Sequence, residues 1–217
     1  MADQEEPCGA KRQQIIDGAE IVFTECGYEG ASMSRIALRA SVSKGTLYNY
    51  FTGKSELFAA FVEQKATVTL SQVFEPLDGQ DDMATTLHKI GLRMVDVVLS
   101  PGSLVLYRIV VSEAGKFPQL AQIYWTNGPE RAIAQMSAWL AQQMQAGRLR
   151  EVDPAFAAEQ FFALCQTRYG MKRRLQLILE ISAEDVEMVV AGAVRLFLDS
   201  YSPSPSAKPL ATLNTRS

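Results

Sequence analysis

The chain has 217 residues, of which 47% are hydrophobic and 21% charged, a balance that suits a globular protein and excludes disordered and fibrous classes. No apolar run reaches the roughly 18 residues that span a bilayer, and the polar start MADQEEPCGAKR has no secretory apolar core, so no membrane partner and a cytoplasmic location are expected. The net charge of −3 excludes blanket attraction to nucleic acid, yet the stretch from Ser32 to Lys54 holds Arg35, Arg39, Lys44 and Lys54 with no acid among them. Screening beyond about 8–10 Å lets such a local face hold phosphates on an acidic protein.

In chain order, residues 1–10 read as a flexible arm. From Lys11, the positions Ile15, Ile16, Ala19, Val22, Phe23 and Cys26 follow the i, i+3, i+4, i+7 spacing of a helix with one buried face, and Gly27 can supply a left-handed cap. Ser32 is the expected N-cap of a short second helix that buries Met33, Ile36, Ala37 and Ala40. After a break at Ser41-Val42, Ser43 caps a third helix that buries Leu47 and Phe51, four apart on one face. Thr52 to Phe58 carries Gly53 and a new helix start, and that helix runs to Pro76 and Asp78-Gly79.

Further helices are expected over 82–99, 103–115, 119–146, 154–179 and 183–200, with Pro101, Pro118, Pro129 and Pro154 at boundaries. Asp153 precedes a helix-starting proline, and Ser182 to Asp185 resembles a capping box with Asp in place of Glu. The run LVLYRIVV (104–111) has strand-like composition but no second strand to pair with, so it reads as a buried helix. Residues 201–217, with three prolines and few large apolar groups, read as a disordered tail.

The three cysteines, Cys8, Cys26 and Cys165, are widely spaced and odd in number, with neither metal-ligand spacing nor a disulfide framework. One histidine, no Ser-His-Asp set and no glycine-rich phosphate loop argue against an enzyme, and no cofactor or metal is expected. Glu184-Asp185 at a helix start is accounted for by capping.

Residues 32–51 therefore form a helix-turn-helix whose second helix has one buried face and one face bearing Lys44, Thr46, Tyr48, Asn49 and Tyr50. The helix start offers unpaired N–H groups to a phosphate oxygen. Gly45 lets backbone come close to a base edge or sugar. Lys44 can meet a phosphate or a guanine, the Thr46 methyl a thymine methyl, and Asn49 an adenine edge. The tyrosines offer hydroxyls to phosphates, and Lys54 can clamp a further one. On pattern alone, an unpartnered solvent-facing turn remains the alternative.

Residues 11–58, through Ile15, Ala19, Phe23, Gly27, Tyr28, Ser32, Ile36, Ala37, VSKGTLYNYF and KSELF, resemble the N-terminal domain of the TetR family of transcriptional repressors. The resemblance implies an all-α fold: a three-helix helix-turn-helix DNA-binding domain (11–56) followed by a larger helical ligand-binding and dimerisation domain (57–200). It implies that Ser32, Ser34 and Arg35 flank the groove and that Ser43, Lys44, Gly45, Thr46, Tyr48, Asn49, Tyr50 and Lys54 face double-stranded DNA. Ser41 stands at a turn position where the family mostly has Gly, a cost of about 1 kcal/mol if φ is positive there. Tyr50 stands where His is commoner.

The stretch RIVVSEAGKFPQLAQIYWTNGPERA (108–132) resembles the AefR-like C-terminal subgroup. A homodimer reading a palindromic operator is implied, with Phe156, Phe161, Leu164, Val189, Leu196 and Leu198 at the subunit interface or in the monomer core. A small-molecule inducer is implied too. Met94, Val98, Tyr107, Arg108, Tyr124, Trp125, Phe162, Cys165, Gln166 and Tyr169 mix apolar surface with isolated polar groups, as a ligand pocket does and as a core with polar edges also does. Arg108 either pairs with Glu113 or another acid or awaits an anionic ligand. His88 is a ligand contact or a satisfied surface histidine. The competing reading is a helical ligand- or partner-binding module of this fold without DNA binding.

Overall fold

The computed structural model describes the backbone of residues 6–74 and 82–203, and side chains from residue 9 onward. Among the described residues the secondary structure is helical: α1 (Glu6–Gly30), α2 (Met33–Arg39), α3 (Lys44–Tyr50), α4 (Lys54–Val73), α5 (Met83–Val98), α6 (Pro101–Glu113), α7 (Pro118–Asn127), α8 (Pro129–Gln145), α9 (Pro154–Cys165), α10 (Gly170–Arg174) and α11 (Ala183–Tyr201). The expected end of the fourth helix at Pro76 and Asp78-Gly79 lies outside the described residues.

Local chemistry sets most of the starts. The Ser32, Ser43, Asp82, Ser100 and Ser182 side chains each accept a hydrogen bond from the backbone N–H three residues on, and Asp153 accepts from Ala155 and Phe156. Prolines occupy the first turn of α6, α7, α8 and α9, where a missing N–H costs nothing. The run 104–111 is helical within α6, as expected.

Four boundaries differ from the sequence reading. Helix α1 begins at Glu6, so residues 6–10 are helix and not arm, and Gly27 has the expected positive φ (φ 70°, ψ −178°) but is followed by a further helical stretch across a kink. The expected helix 119–146 is broken at Gly128 (φ −110°, ψ −91°), because the Pro129 ring bars the preceding residue from helical geometry. The expected helix 154–179 stops at Cys165. Arg168 and Gln176 adopt φ of 68° and 58°, and Leu175, Leu177 and Leu179 are exposed with no helical face against the core. Tyr201 belongs to α11 and not to a tail: it is buried, its ring lies 4.6 Å from Phe197, and its carbonyl accepts from Arg150 N–H.

Two apolar cores organise the helices. The first joins Ile15, Phe23, Ile36, Leu47, Phe51 and Phe58 from α1–α4 and includes Leu106, Ile109, Val110 and Leu120 from α6 and α7. Phe23, Tyr28, Phe58 and Phe61 form its aromatic centre, with centroids 5.2–6.1 Å apart. The second joins Leu87, Ile90, Met136, Leu140, Phe161, Val190 and Phe197 from α5, α8, α9 and α11. Helix α4 enters both, with Leu57 to Val62 in the first and Val73 in the second. The head formed by α1–α3 is therefore cored jointly with α6 and α7. Among the described residues no single helix is long and apolar enough to cross a membrane.

Candidate nucleic-acid interface

Helix α3 is held by one face. Leu47 and Phe51 are buried in the first core, Tyr50 packs half-buried against it, and Arg12 lies over the Phe51 ring at 5.3 Å. The turn before α3 places Ser41 at φ 53°, the left-handed geometry that glycine meets without strain. At the N-terminus, Ser43 Oγ accepts from Thr46 N–H at 3.0 Å and lies 2.8 Å from Thr46 Oγ1. The Thr46 hydroxyl is thus engaged with the cap, which leaves its methyl as the group to present outward.

The opposite face is open. Ser43, Lys44, Gly45 and Asn49 are exposed, and Tyr48 is 53% exposed despite its size. A Cβ built on Gly45 meets only Ser43 Oγ, at 3.7 Å. Nothing among the described residues therefore requires glycine there, and alanine would favour the helix. The backbone at Gly45 is thus open to approach from outside. Ser32 and Ser34 are exposed on the adjoining edge, with the Ser32 hydroxyl oxygen committed to the Arg35 N–H.

Electrostatics in space differ from those along the chain. The acid-free window does not stay acid-free: Glu25 of α1 pairs with Arg35 (3.0 Å) and lies 3.7 Å from Arg39. All three side chains are about half exposed, so these pairs are worth about 0–1 kcal/mol. Lys44 forms no ion pair or hydrogen bond among the described residues. Lys54, expected to face DNA, is directed elsewhere. Its ammonium donates to the carbonyls of Tyr28 (2.6 Å), Ala31 (3.0 Å) and Glu29 (3.3 Å) and sits 4.4 Å from the Tyr28 ring centre. Three donors meet three acceptors, so Lys54 braces the end of α1 against α4. Beside it, the Glu56 carboxylate accepts from both the hydroxyl and the N–H of Thr52, which hold its pKa below the usual range. No sequence signal marked Glu25 or the Lys54 brace, since each depends on where helices cross.

The ten pocket residues are spread over core and surface. Met94, Phe162 and Cys165 are packed in the second core with Val98 against it. Burial pushes the Cys165 thiol up to about 12. Trp125 is 47% exposed. Tyr169 donates its hydroxyl to Asp185 at 2.6 Å, and that bond together with the Ser182 hydroxyl lowers the Asp185 pKa. Tyr107 and Tyr124 face each other beside Gln166 and Arg174. Arg108 does not pair with Glu113, whose carboxylate accepts instead from Glu29 N–H. His88 is satisfied by Glu187 at 2.7 Å, joining α5 to α11. Shallow grooves of about 480 and 460 Å³ are lined by other residues, one by Thr67, Leu70, Arg131 and Gln135, the other by Gln13, Asp17, Arg39 and Ser41.

The interface set divides in the same way. Phe156 on α9 and Leu196 on α11 are 54% and 52% exposed, as is Met188 (49%) on α11. Phe161 is fully buried against Phe197 (5.4 Å) and is corrected to a monomer core residue. Leu164 and Leu198 are half-buried against the second core, and Val189 is half-buried.

A capped three-helix head that holds a seven-residue helix by one face and leaves the other bare is a helix-turn-helix module. Residues 15–61 match the bacterial regulatory proteins of the tetR family, and residues 85–203 match the AefR-like transcriptional repressor C-terminal domain. The chain belongs to the TetR family.

Relatives include the regulators YvdT of Bacillus subtilis (38% identical over 77 residues; 36% of this chain, 40% of that one) and UidR of Escherichia coli K12 (30% over 115; 51% and 55%). The chain thus spans about half the length of the curated relatives it matches. Among solved structures, the flavonoid-responsive regulator FrrA superposes with a TM-score of 0.81 at 28% identity, covering 90% of this chain and 98% of that one. A TetR-family protein from Mesorhizobium loti gives 0.81 at 27% with the same coverage.

Proposed function

We propose that the chain is a dimeric, ligand-responsive transcriptional regulator that acts as a repressor in the cytoplasm. Helix α3 of each protomer enters one half of a palindromic operator, and a small-molecule inducer releases it. The observation that carries this reading is Gly45, a glycine with open space around it at the start of a helix whose outward face holds Lys44, Tyr48 and Asn49.

The groups sort by role. The α3 N-terminus, Ser43, Lys44 and Tyr48 suit phosphate oxygens and set position. Asn49 and the Thr46 methyl suit base edges and carry sequence choice. Arg35 and Arg39 exchange Glu25 for phosphates on the flank, while Lys54 keeps the head rigid from behind. One seven-residue helix reads few base pairs, so two copies about one helical turn apart are needed, which supports a dimer. The exposed Phe156, Met188 and Leu196 on α9 and α11 supply apolar side chains for it.

Repression and induction draw support from the relatives. The matched C-terminal model is a repressor domain, and AcnR of Corynebacterium diphtheriae, 25% identical over 146 residues, is a repressor. FrrA responds to flavonoids. The coupling route is the shared first core. A ligand that favours one arrangement of α6 and α7 must shift α1, because Glu113, Lys116 and Phe117 hold its last turn.

A gel shift with the DNA flanking the chain's own gene tests the proposal. Binding that falls with salt and is lost in Tyr48→Ala is expected. No shift at low salt with an intact fold would overturn it.

A further inference from the structure

Two adjacent arginines in α10 have opposite fates. Arg173 donates to the carbonyls of Leu99, Ile178 and Leu179, so it fastens the 175–181 strap to the end of α5. Arg174 donates to the side-chain oxygen of Gln166, a neutral group, and its guanidinium lies 5.3 Å from the Tyr107 ring centre. Tyr107 in turn meets Tyr124 with centroids 6.5 Å apart at 65°. Among the described residues no carboxylate pairs with Arg174. Burial raises the Tyr124 pKa against the opposing pull of Arg174.

The half-buried guanidinium has two tyrosine rings beside it and no carboxylate, and Gln166 takes one of its five N–H donors. The backbone makes room for it. A Cβ on Gly170 would sit 3.1 Å from Gln166 Cβ and 3.3 Å from Arg174 Nη1, so a side chain there would crowd both. Helices α6 and α7, the C-terminal end of α9 and α10 thus converge on one cation with an aromatic shelf.

We propose that Tyr107, Tyr124, Gln166 and Arg174 form a recognition site for a planar aromatic acid, its ring against the tyrosines and its carboxylate or phenolate oxygen on the Arg174 fork. The site deepens the inducer reading and rests on it. Rings stack on or against tyrosine with either face or edge, and an Arg fork takes an anionic oxygen through charge-assisted bonds. A merely structural latch would need no free donors.

Calorimetric titration of the full chain at pH 8.5 tests this with two matched pairs: 7-hydroxyflavone against 7-methoxyflavone, and 2-naphthoate against 2-naphthamide. The first pair reports a phenolate, the second a carboxylate. In at least one pair the ionisable member is expected to bind about tenfold or more tighter, as a charged hydrogen bond implies. Arg174→Gln should abolish that preference and Arg174→Lys keep part of it. If Arg174→Gln fails to fold, Gln166→Glu replaces it: an internal carboxylate on Arg174 should erase the preference with the fold intact. Equal binding within both pairs, no binding of any probe, or a preference that survives these variants would overturn the site. The gel shift is run in parallel. Its failure with the preference intact sinks the regulator reading alone, and its success with no preference sinks the site alone.

Discussion

The carboxylate of Glu113, at the end of α6, accepts a hydrogen bond from the backbone N–H of Glu29, 3.1 Å away in the last turn of α1. Eighty-four residues separate the partners. The same junction holds a Lys116–Glu29 ion pair and a Tyr28–Phe117 edge contact at 5.0 Å. Gly27 lies beneath it at φ 70°, where an added Cβ would stand 3.0 Å from the Glu113 oxygen. Glu113→Ala is therefore expected to cost about 1–2 kcal/mol in urea unfolding, because the bond is to a charged acceptor at the surface. Its operator complex should also respond less to inducer. Unchanged stability and unchanged induction would remove this junction from the coupling route.

Gly45→Ala separates folding from binding. The Cβ has space, so stability should hold or rise by up to about 1 kcal/mol, read as a higher Tm. DNA affinity should fall at least about tenfold, since the added methyl blocks backbone approach. Loss of stability with unchanged DNA binding would show that the glycine serves the fold.

The two lysines divide in the opposite way. Lys44→Ala should leave unfolding unchanged and lower the slope of log K against log salt by about 1, the signature of one phosphate contact. Lys54→Ala leaves three carbonyls without their donor and should cost about 1–3 kcal/mol of stability.

Substitutions on α9 and α11 should split by burial. Phe156→Glu and Leu196→Glu place charge at exposed apolar positions and are expected to yield folded monomers by sedimentation. Phe161→Ala empties a core site and should instead cost about 3–5 kcal/mol without first changing the assembly. Dimers that withstand both glutamates would place the interface elsewhere.

The Cys165 thiol gives a pH test. Its pKa rises from 9.0 to about 12 because burial disfavours the thiolate. The folded value exceeds the unfolded one, so its contribution is complete below about pH 9 and is lost as pH climbs towards 12. Unfolding midpoints should fall across that window, and Cys165→Ser should flatten the fall. In native protein at pH 8, iodoacetamide followed by mass mapping should find Cys165 unlabelled.

Local chemistry alone determined a good deal. The Ser32, Ser43, Asp153 and Ser182 caps are made between groups two or three residues apart, so chain order suffices to find them. The buried and open faces of α3 follow from helical spacing, and Ser41 has the positive φ that its turn position suggested.

What helix crossings decide was not legible. The acid-free basic window acquires Glu25 because α1 runs beside α2. Lys54 turns inward because the kink at Gly27 delivers three carbonyls to it, and Arg174 finds Tyr107 only after α9 breaks at Cys165. Phe161 and Phe156 look alike in sequence, yet one is sealed by Phe197 and the other is open. Hydrogen bonds within a turn are fixed by backbone geometry, whereas ion pairs and burial depend on which elements the cores draw together. The sequence alone therefore determined the helices and the face that α3 presents, and the tertiary structure decided which charges on that face stay free.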